Sequence, residues 1–181
     1  HPRRLRIASL AAEFCRAARV LDPDLPLVLM ASNARELSVL GETAALTGTD
    51  RVFMWSGDAR LFVAIIKSVE DGINAAHDTD AVGVPVLILV EDNVRFYSSY
   101  LPLLYTELVH HTQSLMTDGL NRMQKLMRMR ARPKVLLATS YEEGEYLYKR
   151  YRENLMGVIV DANFPRDGKS DPGAGLAFAR M

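Results

Sequence analysis

Glu91 and Asp92 directly follow one apolar run, residues 84–90 (VPVLILV), and Asp161 directly follows another, Leu155–Val160 (LMGVIV). A carboxylate presents hard, anionic oxygens, and three of them brought to one point repel one another. A divalent cation relieves that repulsion, and an all-oxygen donor set suits Mg²⁺. The sequence therefore predicts a Mg²⁺ site built from Glu91, Asp92 and Asp161. A plainer role competes with it: acids after strands often cap the helices that follow, and Asp92 is placed to do so.

The elements that must position these acids are strands. Val86, Leu87, Ile88, Leu89 and Val90 leave no polar face, which predicts a strand buried on both sides, as in a parallel sheet covered by helices. The C-terminal ends of such strands are where open α/β sheets bind ligands. Further strand-like runs lie at residues 25–31 (LPLVLMA), 51–55 (RVFMW) and 133–139 (PKVLLAT). Helical patterns fill the intervals. Residues 7–20 place Leu10, Phe14 and Ala17 at helical spacing, residues 34–46 form a second helix closed by Gly48, and Leu61, Phe62, Ile65, Ile66 and Val69 form a core-facing stripe on a third. Residues 76–83 are small and polar and read as a linker between residues 1–75 and 84–181. From 94 to 131 the chain has no firm stop, which predicts an extra-long helix of roughly 57 Å at 1.5 Å per residue. Met116, Leu120, Met123 and Met127 follow a 4-3-4 spacing along it, the stripe of a helix-pairing seam, and predict a homodimer.

Composition narrows the classes of function. The 181 residues suffice for a real core, and the zero formal net charge gives no global pull toward nucleic acid. The basic run Arg122, Lys125, Arg128, Arg130, Arg132 and Lys134 lacks interleaved aromatics and reads as a solvated face. No apolar run approaches the ~20 residues that span a bilayer, and the N-terminal HPRRLRIAS lacks the apolar core of a signal peptide. The lone Cys15 excludes an internal disulfide, reads as a small buried hydrophobe, and fits a reducing cytoplasm.

Taken together, VLILVEDN and the later VIVDANFP, with Gly168 beyond them, resemble the receiver domains of two-component response regulators, and in detail the tandem receiver regions attached to phosphoenolpyruvate synthase-like proteins. The resemblance implies a flavodoxin-like α/β fold with a five-stranded parallel sheet of order 2-1-3-4-5. Residues 1–75 would supply strands four and five of one receiver, and residues 84–181 strands one to three of a second, in a permuted or domain-swapped arrangement. The opening AAEFCR and closing GLAFAR echo each other, as two copies of one receiver helix would. It further implies Mg²⁺ held by the Glu91–Asp92 pair, Asp161 as phosphoacceptor, and Ser32 in contact with the phosphoryl group. The partners implied are a histidine kinase or small phosphodonor and an effector domain.

One departure bears on activity. Receivers carry a Lys at the end of the fifth strand, and here Trp55 and Ser56 stand there. Without that cation, charge developing on the phosphoryl oxygens rests on Mg²⁺ and hydroxyls. A degenerate receiver acting as a dimerisation or scaffolding module is the rival reading. A metal-dependent phosphatase is disfavoured, because Asn163 occupies the position two beyond Asp161 where a second catalytic acid would stand.

Overall fold

Each apolar run marked as a strand becomes one in the computed structural model of the chain, which describes residues 2–42, 48–114 and 132–181. The chain divides into two units, His1–Ala59 and Arg60–Met181.

In the first unit, α1 (Pro2–Leu21) and α2 (Ala34–Glu42) accompany a parallel pair, β1 (Val28–Ala31) and β2 (Arg51–Met54). The register runs from Val28 opposite Arg51 to Ala31 opposite Met54. Cys15, Ala12, Leu27, Ala31, Val52 and Phe53 are buried. The apolar positions expected to lead α1 are not its buried ones: Leu10 and Phe14 are exposed. Small residues on the opposite side allow closer approach than Phe14 would. Asp50 ties the strands to α1, its Oδ2 accepting from the Leu27 amide at 2.6 Å and from Arg19 at 2.6 Å.

The second unit contains the larger sheet. Its order is β4 (Lys134–Ala138), β3 (Val86–Val90), β5 (Leu155–Val160), all parallel. Parallel neighbours require crossovers. These run through α4 (Val94–Ser114) between β3 and β4, and through α5 (Tyr141–Tyr151) with a 3₁₀ turn between β4 and β5. β3 and β4 are buried along their whole lengths, β3 and Val135–Ala138 as apolar runs and Lys134 paired with Asp78; β5, at the edge, is only half covered. Val86, Ile88 and Val90 pack into one core with Leu136, Ala138, Tyr141, Tyr151, Phe164 and Phe178. The rings of Tyr141 and Phe178 meet edge-on at 5.6 Å, a favoured aromatic geometry.

Two expectations are corrected here. Residues 76–82 are not a linker but the last third of α3 (Arg60–Val82). Small and polar residues do not break a helix, and the first breaker, Gly83, adopts φ 67° where the helix ends. The buried face of α3 is Leu61, Ala64, Asp71, Ala75 and Thr79, while Phe62 and Ile66 of the expected stripe are exposed. After Asp161 the chain makes an antiparallel hairpin, β6 (Phe164–Arg166) and β7 (Lys169–Asp171), before the short helix α6 (Ala174–Phe178). Asp167 and Gly168 both take positive φ, 52° and 71°, as a two-residue turn of the type favoured by Asp-Gly requires. Of the expected helix 94–131, α4 covers 94–114; the Met116, Leu120, Met123 and Met127 stripe lies outside the described residues. Sheets of two and three parallel strands are therefore present among the described residues, an α/β architecture.

Candidate metal centre

The ladder itself delivers the acids. Beyond β3, the Glu91 amide still donates to the Ala138 carbonyl at 2.9 Å, and beyond β5 the Asp161 amide donates to the Val90 carbonyl at 3.0 Å. Each bond carries sheet pairing one residue past the strand, so Glu91 and Asp161 leave adjacent strands at the same edge. Glu91, Asp92 and Asp161 each bring a carboxylate oxygen within 4.8 Å of the others. The three predicted ligands are thus brought together.

The competing role falls to a neighbour. Asn93 caps α4, its Oδ1 accepting from the Arg95 amide at 3.0 Å, so Asp92 is not the cap. Glu91 is 3% exposed, and its Oε1 accepts from the Asn93 amide at 3.0 Å. Asp161 accepts from the Asn163 amide at 3.3 Å. Among the described residues no Lys, Arg or His pairs with any of the three acids. Burial pushes the Glu91 carboxyl above its usual range, partly offset by the Asn93 amide and reinforced by the negative charges of Asp161 and Asp92. Asp92 is raised by the same combination of burial and the charge of Asp161. Clustered carboxylates, one of them buried and none paired with a cation among the described residues, could hold a metal ion through one oxygen from each.

The loop carrying Asp161 is clamped from behind. The Gly175 amide donates to the Ala162 carbonyl at 3.1 Å, and α6 approaches so closely that a Cβ on Gly175 would collide with the Asp161 carbonyl oxygen. Gly144 plays a similar part for α5, where a Cβ would meet Phe178 at 2.8 Å. Above β4, Ser140 caps α5 by accepting from the Glu143 amide at 3.2 Å, and Glu143 accepts in return from the Thr139 amide at 2.7 Å.

Ser32 lies in the first unit, at the end of β1. Its amide donates to Glu36 at 2.8 Å, while Asn33 caps α2 by accepting from the Glu36 amide at 3.0 Å. Trp55 and Ser56 follow β2, and the Trp55 amide donates to the Ala31 carbonyl at 2.8 Å.

Sequence reading missed a second polar cluster. Asp71, fully buried on α3, accepts from both Arg132 terminal nitrogens at 2.7 and 3.0 Å, from the Tyr105 hydroxyl at 3.0 Å and from the Val135 amide at 2.9 Å. Lys134 lies 3.7 Å from Asp71 and 2.6 Å from Asp78. Burial, then the Asp71 charge and hydrogen bond, raise the Tyr105 hydroxyl far above its ordinary value, so it stays a donor. Every carboxylate oxygen of Asp71 is satisfied, which makes this a structural tie joining α3, α4 and the start of β4. No helix among the described residues is long and apolar enough to cross a membrane. Comparison with protein-family models, curated proteins and solved structures finds no match.

Proposed function

We propose that the chain is a signalling receiver module that takes up a phosphoryl group on Asp161 with Mg²⁺ held by Glu91, Asp92 and Asp161. The observation that carries this reading is the convergence of the three carboxylates at the ends of adjacent parallel strands. The strand order β4-β3-β5 supports it, being the order 2-1-3 of the first three strands of the receiver sheet. On this reading the first unit supplies the remaining two strands of a five-stranded, flavodoxin-like sheet, and Ser32 supplies a hydroxyl to the phosphoryl group.

The chemistry is a displacement at phosphorus. A carboxylate oxygen of Asp161 attacks, the bond from phosphorus to the donor breaks, and the donor leaves with the electron pair. Glu91, Asp92 and Asp161 would hold Mg²⁺, which would supply positive charge to offset the crowded acids and the phosphoryl oxygens. The donor is a histidine kinase or a small acyl phosphate, the output a conformational change passed to an effector domain, and the compartment the cytoplasm. The absence of Lys at Trp55–Ser56 favours the second reading, a receiver-like scaffold that is not phosphorylated.

Incubation with acetyl phosphate and Mg²⁺, followed by intact-mass measurement, separates the two. One phosphoryl adduct in the wild type, absent from Asp161→Asn, is expected. An adduct formed equally in Asp161→Asn, or none in the wild type, refutes phosphorylation at this site.

A further inference from the structure

The hairpin that follows Asp161 reaches across the carboxyl edge of the larger sheet. It leaves the end of β5, and its tip is held on α5, the helix that follows β4 on the far side of β3. At that tip the Asp167 amide donates to Glu142 Oε1 at 2.8 Å, a bond that holds the Glu142 carboxyl below its usual range. Phe164 is buried against the Tyr141 ring of α5, and the Arg166 guanidinium lies 4.3 Å from the centre of the same ring. Strand alternation puts Asn163, Pro165 and the pairing partner of Pro165, Ser170, on the hairpin's other side. There the Ser170 hydroxyl donates to Asn163 Oδ1 at 2.9 Å, and the Asn163 amide donates to Asp161 Oδ2 at 3.3 Å. A continuous line of contacts therefore runs from the Asp161 carboxylate through Asn163, Ser170 and the hairpin to Glu142.

We infer that the β6–β7 hairpin is a strap coupling the cation centre to α5, with Ser170 and Glu142 as positioning residues for Asp161. The inference rests on the proposed function, whose site the strap regulates. Its physical basis is the freedom of a side chain at the end of a strand. Packing of Gly175 fixes the main chain at Asp161 and Ala162, but the carboxylate still turns about its own bonds. The Asn163 amide restricts that rotation. Asn163 is itself exposed, so its position depends on Ser170; Ser170 depends on the pairing of the two strands and on the tip's attachment to Glu142. Groups that orient a ligand from behind remove freedom that cation binding would otherwise have to freeze, and their loss costs about 10–100-fold in affinity. Linkage makes the effect reciprocal. If the docked hairpin tightens cation binding, a bound cation tightens the hairpin's hold on α5 by the same factor. Loading of the site is thereby felt at the N-terminus of α5, on the far side of β3.

Titration of the full chain with Mg²⁺, followed by amide shifts and amide–solvent exchange, tests the strap from both ends. Ser170→Ala and Glu142→Ala should each weaken Mg²⁺ binding about tenfold. Ser170→Thr and Glu142→Gln, which keep a hydroxyl and an acceptor oxygen at those positions, should restore most of the affinity. Both side chains are exposed, so all four variants should keep the wild-type circular dichroism. In the other direction, saturating Mg²⁺ should slow solvent exchange of the Asp167 amide about tenfold in the wild type and leave it unchanged in Ser170→Ala. Binding that shifts residues 91–93 and 161–163 but is equally tight in Ser170→Ala and Glu142→Ala overturns the strap and leaves the cation centre standing. An Asp167 amide indifferent to Mg²⁺, or equal losses in the alanine and the conservative variants, overturns it as well. No Mg²⁺ binding by the wild type overturns both. The predicted coupling without an acetyl-phosphate adduct would sink phosphorylation while upholding the strap.

Discussion

Replacing Gly175 by alanine strikes the backbone that holds Asp161, without touching any carboxylate. The added Cβ would overlap the Asp161 carbonyl oxygen and lie 2.8 Å from the Ala162 Cα, where carbon contacts are comfortable only at ~3.5–4.0 Å. Both obstacles are main-chain atoms, so no side chain can rotate away. Relief requires α6 to lift from the loop, which stretches the bond from the Gly175 amide to Ala162 and disturbs Phe178, 4% exposed in the core. Overpacking of this kind costs about 1–3 kcal/mol, and a lost amide bond about 1 kcal/mol more. Gly175→Ala should therefore lower the urea-unfolding free energy by about 2–4 kcal/mol and weaken divalent-cation binding in the fraction that folds. Gly72→Ala is the control. That glycine lies inside α3 with nothing within 4 Å of its Cβ position, and the change should stabilise by roughly 0.5–1 kcal/mol. Wild-type stability and cation affinity in Gly175→Ala would refute the claim that α6 clamps the Asp161 loop.

Other parts of the account are open to direct test. Asp71→Ala strands the buried Arg132 guanidinium and should cost about 3–5 kcal/mol, whereas Asp71→Leu with Arg132→Met should recover most of it; equal losses in both would contradict the tie. The raised carboxyls of Glu91 and Asp92 set the sign of a pH effect. Their contribution to stability is present below the unfolded values of 4.5 and 3.8 and is lost as pH rises through the higher folded values. Cation-free protein should therefore lose melting temperature as pH rises through that interval, and added Mg²⁺ should restore it near neutrality but not in acid; a Mg²⁺ effect independent of pH would exclude these acids as ligands.

How much of this was legible in sequence depended on range. β3 was readable because an unbroken apolar run of that length marks a buried element, β4 from Val135–Ala138 and β5 from its apolar run of strand length although it is only half covered, and the acids beyond β3 and β5 because they end such runs. Residues 76–82 misled because composition was read as flexibility, when Ala75, Ala76 and Thr79 are small enough to pack within a helix and nothing before Gly83 breaks one. The hairpin was within reach: Asp167-Gly168 is a turn signal, but the segments beside it, FPR and KSD, are too short and polar to look like strands. Asp71 was not. An acid in mid-helix looks solvated until Tyr105 and Arg132, 34 and 61 residues away, are folded onto it. The same limit applies to Phe62 and Ile66, whose spacing marks an apolar stripe but not which side of the helix meets the sheet.

The central claim is that Glu91, Asp92 and Asp161 act as one divalent-cation site. Titration of the ¹⁵N-labelled chain with Mn²⁺ measures this most directly, because the paramagnetic ion broadens only amides close to it. The account predicts that the amides of residues 91–93 and 161–163 broaden first, that excess Mg²⁺ reverses the effect, and that Asp92→Ala or Glu91→Gln removes it. Uniform broadening across the surface acids, or selective broadening that survives both substitutions, would contradict the site.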